Sequence, residues 1–72
     1  MAAHLDALHG LALAWTHDGD WAGDLVQRTF LKAFERLGQL RAPEAARSWL
    51  ITILRHERAS DLRRQARFEV LE

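Results

Sequence analysis

Five arginines fall between residues 55 and 67, at Arg55, Arg58, Arg63, Arg64 and Arg67, against only Glu57 and Asp61. A segment with that local excess of positive charge can meet phosphate, so nucleic acid is the first chemistry it suggests. The bland counterpart is a solvated helix face laced with i,i+4 ion pairs. A whole-chain charge of zero conceals the asymmetry: residues 1–40 carry three Lys/Arg and five Asp/Glu, and residues 41–72 carry seven and five.

Other chemistries find no support. His4 and His9 are five residues apart, which does not place them on one helix face. His17 suits the negative end of a helix, and His56 has no neighbouring acidic pair set for zinc. No serine has a nearby base, there is no cysteine, and the four glycines are scattered rather than gathered into a phosphate loop. Neither a metal or other cofactor nor an enzyme is expected. Without cysteine there is no disulfide framework, which suits a reducing compartment. The longest apolar run, Leu11 to Trp15, is far short of the ~20 residues that span a bilayer. No basic region precedes the first apolar stretch, as a signal peptide would require, so a cytoplasmic protein is expected.

The elements that must position these side chains are all helical. With 72 residues there is room for one small domain, which buries only about 60% of its unfolded surface. Periodicity predicts an all-α, three-helix bundle. A first helix over about residues 3–16 carries Leu5, Leu8, Ala12 and Trp15 at helical spacing, widened by Leu11. In His17-Asp18-Gly19-Asp20, Gly19 tolerates positive φ and Asp20 can cap the next helix. That second helix, over about 21–37, would bury Leu25, Val26, Thr29, Phe30, Ala33, Phe34 and Leu37, with Gly38 closing it. Pro43 and Glu44 suit the first turn of a third helix over about 44–67. Its first half turns Ala46, Trp49, Leu50, Ile53 and Leu54 inward, with Trp49 expected in the core beside Phe30 and Phe34. Its second half is polar except for Ala59, Leu62 and Ala66. A helix so long and basic at its C-terminal end is expected to project against something. Leu71-Glu72 reads as either a native end or a cloning scar.

Asp24, Gln27, Arg28 and Leu31 occur at i, i+3, i+4 and i+7, so they share one face outside the apolar stripe. Single exposed leucines are common, yet an apolar residue amid polar groups is also what the centre of a protein interface requires.

Three stretches taken together, LALAWTHDGDWAGDLVQRTFLKAF, RSWLITILRH and ERASDLRRQAR, resemble the second conserved region of bacterial extracytoplasmic-function sigma factors. The resemblance covers roughly residues 8–67, with order and spacing kept. It implies a domain that docks on the clamp helices of the RNA polymerase β′ subunit, recognises the minus-ten promoter element and holds its non-template strand. It also implies a second domain, a helix-turn-helix that this chain does not encode, so a fragment is expected, and an anti-sigma factor as a further partner. The implied polymerase face is Asp24, Gln27, Arg28 and Leu31. The implied DNA face is Thr52, Arg55, His56, Ala59, Ser60 and Arg63 along one side of the third helix, joined by Arg41, Arg47, Arg64 and Arg67. Arginines there can bind phosphate, and small residues let a strand approach. The loop from Gln39 to Ser48 would wall a pocket for a flipped base. The sequence departs from the family pattern at Gly23, where glutamate is usual, at Arg28, where an acid is usual, and at His56, where asparagine is usual. The residues alone also admit a small helical interaction module, monomeric or homodimeric, whose basic helix is merely solvated. A membrane-surface helix fits poorly, given few lysines and interrupting acids.

Overall fold

The computed structural model describes the backbone of residues 2–71 and the side-chain surroundings of residues 3–68. Three helices follow in order: α1 (Ala2–Thr16), α2 (Gly19–Glu35) and α3 (Ala46–Leu71). Single 3-10 turns at Leu37–Gln39 and Pro43–Ala45 bridge α2 to α3, and no strand occurs among the described residues. Each boundary has a local cause. Asp18, not Asp20, caps α2: its Oδ1 accepts from the amides of Asp20 at 3.0 Å and Trp21 at 3.1 Å. The helix therefore begins two residues before its expected start, where two otherwise unpaired amides find an acceptor. The left-handed residue of the turn is His17, with φ 53°, and Gly19 is already helical.

At its other end α2 stops at Glu35 rather than Leu37. The chain tightens there, with Gln39 N–H donating to the Arg36 carbonyl at 2.8 Å and Leu40 N–H to that of Leu37 at 3.1 Å. Pro43 opens its turn without needing a donor, and α3 proper begins at Ala46. α3 then runs four residues beyond its expected end. Glu72 lies outside the described residues.

The core lies where all three helices meet. Leu8 and Ala12 come from α1, Ala22, Leu25, Val26, Thr29 and Ala33 from α2, and Leu50, Ile53 and Leu54 from α3. Thr29 is fully buried at no cost in unmet polarity, because its hydroxyl donates to the Leu25 carbonyl at 2.7 Å. Leu5, Phe34 and Leu37 of the expected buried stripes are exposed, Phe34 by 80%, and Leu62 is exposed as well. The first three lie on apolar stripes, but no neighbouring element among the described residues covers them. Trp49 and Phe30 are half-buried against the core, and Phe34 does not join them. From Leu62 to Phe68 every α3 residue is exposed. The ten residues from Leu62 to Leu71 thus extend the helix by about 15 Å past Asp61, the last buried side chain among the described residues.

Candidate interaction surfaces

The two helices that carry the implied faces are locked together by a charged network. Arg28 on α2 grips Asp61 on α3 with both ends of its guanidinium, Nη1 to Oδ1 at 2.9 Å and Nη2 to Oδ2 at 2.5 Å. The same side chain lies 3.2 Å from Asp24 and 3.6 Å from Glu57, and Lys32 Nζ sits 2.9 Å from Glu57. Trp21 donates its indole N–H to Asp61 Oδ2 at 2.7 Å, and Arg64 adds a third donor to the same carboxylate. The Asp61 side chain is only 9% exposed. Burial alone would favour its neutral form, but the hydrogen bonds from Arg28, followed by those from Trp21 and Arg64, hold its carboxyl well below the usual range. The same bond to Asp61 raises Arg28 above an ordinary guanidinium.

The network corrects the expected faces at two positions. Asp24, Gln27 and Leu31 are exposed together on α2, but Arg28 is half-buried and turned toward α3. Arg64 is drawn along its own helix to Asp61 rather than standing clear beside Arg63. Sequence reasoning missed the network, although a signal existed: Arg28 and Lys32 are spaced i,i+4, and so are Glu57 and Asp61, with opposite charge on consecutive helices. It also missed Arg58, whose guanidinium lies 5.6 Å above the Trp15 ring and ties α3 to α1.

On α3, Thr52, Arg55, His56, Arg63 and Arg67 are exposed, with Ala59 and Ser60 half-buried among them. Arg55, Arg63 and Arg67 make no ion pair among the described residues, nor do exposed Arg41 and Arg47 at the base of the helix. Beside this face the bridging segment forms a small pocket of about 300 Å³, lined by Gln39, Leu40, Arg41, Ala45, Ser48, Trp49 and Thr52. Its hydroxyls are already committed: Ser48 donates to the Ala45 carbonyl at 3.1 Å and Thr52 to that of Ser48 at 2.9 Å. Trp49 therefore does two things, packing one part of its ring on the core and offering another to the pocket.

A larger and more apolar groove, of about 860 Å³, runs between α1 and α2 on the side of α2 away from α3. Leu5, His9, Gly23, Val26, Gln27, Phe30, Leu31 and Phe34 line it. Gln27 and Leu31 thus belong both to the exposed α2 face and to the groove wall. No cluster of side chains able to hold a metal ion occurs among the described residues, and none of their helices is long and apolar enough to cross a membrane.

α2 thus exposes a mixed polar-apolar face, and α3 a basic face whose Arg55, Arg63 and Arg67 make no ion pair among the described residues. The family model for Sigma-70 region 2 matches residues 1–68, and the chain belongs to that family. Its relatives place it in the extracytoplasmic-function branch. It is 34% identical over 65 residues to the ECF RNA polymerase sigma factor EcfG of Rhodopseudomonas palustris, covering 90% of this chain and 36% of that protein. It is 37% identical over 57 residues to the RNA polymerase sigma factor YlaC of Bacillus subtilis, covering 79% and 33%. A probable RNA polymerase sigma factor of Haemophilus influenzae is 39% identical over 52 residues, covering 72% and 27%. The chain spans about a third of the length of the curated relatives it matches. No solved structure matches it.

Proposed function

We propose that this domain takes part in transcription initiation by joining core RNA polymerase to promoter DNA, with no catalytic step of its own. Asp24, Gln27 and Leu31 meet the β′ clamp helices. Arg55, Arg63 and Arg67 meet phosphates of the minus-ten non-template strand, with Arg41 and Arg47 at the base of the helix. His56, Ala59 and Ser60 lie nearest the bases, and the pocket edged by Trp49 receives one of them. The observation that carries the reading is the contrast within α3: Glu57 and Asp61 are buried against α2, and apart from Arg64, which Asp61 holds, the outward Arg55, Arg63 and Arg67 make no ion pair among the described residues. A merely solvated face would instead spend its acids on neighbouring arginines at the surface. Cytoplasmic action and inhibition by an anti-sigma factor belong to the same reading.

Backbone and base contacts separate in experiment. In reconstituted holoenzyme on single-stranded minus-ten DNA, Arg63→Ala should weaken all sequences about equally and lower the salt slope by roughly 0.7 for one lost phosphate contact. His56→Asn, which substitutes an amide offering donor and acceptor together, should reorder preferred sequences more than it changes mean affinity. A wild-type salt slope and sequence ranking in both variants would leave α3 as a solvated helix.

A further inference from the structure

Gly23 stands inside α2, where glycine is less favourable than alanine by up to about 1 kcal/mol. Its backbone is ordinary right-handed helix, so no left-handed conformation calls for it. A Cβ built there meets nothing within 4 Å, so no close packing calls for it either. The same is true of Gly10, Gly19 and Gly38, but those three are exposed, whereas Gly23 is half-buried in the wall of the α1–α2 groove. The one consequence of its bare backbone is the open space in front of it.

The groove also has a sign. Helical spacing puts exposed Asp20, Asp24 and Glu35 beside the groove residues Gln27 and Leu31, with Asp20 and Asp24 seven and three residues before Gln27 and Glu35 four after Leu31. Asp20 and Glu35 make no ion pair among the described residues, and Asp24 engages Arg28 through one oxygen only. The cations Arg28 and Lys32 are turned the other way, to Glu57 and Asp61. An apolar trough beside three acids, two of them unpaired among the described residues, is complementary to a helix that carries an apolar stripe flanked by Lys or Arg.

We infer that Gly23 is a specificity-determining position of the polymerase-docking surface: it opens the α1–α2 groove so that an apolar side chain of a basic-flanked polymerase helix seats against bare α2 backbone. Leu5 and His9 of α1 form the far wall, so docking engages two helices of this domain. The inference rests on the docking reading of Asp24, Gln27 and Leu31, and goes beyond it in naming the groove, the glycine and the chemistry of the occupant.

Binding of the 72-residue chain to bacterial core RNA polymerase, read alongside thermal melting, tests it. Gly23→Ala should melt no lower than wild type. Gly23→Leu should keep its fold and bind core roughly tenfold or more weakly, because its side chain occupies the seat. Gly23→Cys supplies the only thiol in the chain, and saturating core should slow its alkylation by N-ethylmaleimide several-fold. Wild-type affinity in Gly23→Leu, with affinity lost in Asp24→Ala and Gln27→Ala, would overturn the groove while leaving the docking reading intact. Absence of binding by the wild-type chain would overturn both. Should Gly23→Leu melt below wild type, the alkylation rate decides: a thiol that reacts equally fast with and without core refutes the seat.

Discussion

The two flanks of α2 are built from opposite materials. Toward α3 it presents Arg28 and Lys32, which close on Glu57 and Asp61 with a supporting bond from Trp21. Toward α1 it presents Phe30, Leu31 and Phe34 around a groove that stays open. The charged flank is the sealed one and the apolar flank is the exposed one, against the ordinary expectation that greasy faces pack and charged faces face water. In a domain of three helices, a sealed charged interface holds the geometry of α3, while an unsealed apolar face remains available to a partner.

The sharpest way to break this contrast is in the core that both flanks share. Leu25 is fully buried beneath α2, and Leu25→Ala should cost about 2–5 kcal/mol in chemical denaturation. That is a large part of what a domain this small has, so loss of the cooperative transition is the expected result. An effect below 1 kcal/mol would mean that the core is not where the three helices meet.

The sealed flank comes next. Asp61→Asn removes the charge that Arg28 and Arg64 share, and should cost roughly 2 kcal/mol, the range for hydrogen bonds to charged groups. The same carboxylate makes the fold acid-sensitive. Its folded pKa lies below its unfolded one, so its stabilisation is full above the ordinary aspartate pKa and fades as pH falls below about 4 toward the folded value. Melting temperature measured from pH 6 down to pH 2 should therefore drop steeply in wild type and less so in Asp61→Asn. Parallel curves would remove the network from the stability of the interface.

The smallest effect belongs to the open flank. Phe34→Ser exchanges a large apolar side chain for a small polar one, yet with Phe34 80% exposed the melting curve should move by no more than about 0.5 kcal/mol. A loss comparable to that of Leu25→Ala would show that the aromatic ring packs inside, and that the groove does not exist as described.

The same comparison explains what could be read in the sequence. Three helices, their order and the proline-led turn before α3 follow from 3.6-residue periodicity and a handful of breakers, because those signals are local. Leu8, Leu25, Leu50 and Leu54 were legible as core for the same reason. Phe34, Leu37 and Leu5 were not legible as exposed: periodicity shows which side of a helix is apolar, not whether another element arrives to cover it. The cap is Asp18 rather than the expected Asp20, because both precede the expected helix start at about residue 21 and only the observed backbone, extended at Asp18, separates them. The exposed Asp24, Gln27 and Leu31 were legible as a face. The inward turn of Arg28 was not, since its partner Asp61 lies 33 residues away in the chain.

Arg28 also constrains how this sequence can change over time. Where the family pattern puts an acid at this position, the present chain puts an arginine into the joint between α2 and α3. Changing Arg28 to glutamate alone would bring a new carboxylate up against Glu57 and Asp61 and leave only Lys32, Arg64 and the Trp21 indole to offset the acids in a largely buried interface. An acid at position 28 is therefore expected to be tolerated only with different residues at 57 or 61. The three positions form an epistatic set, and chimaeras that exchange α2 without α3 should inherit the conflict.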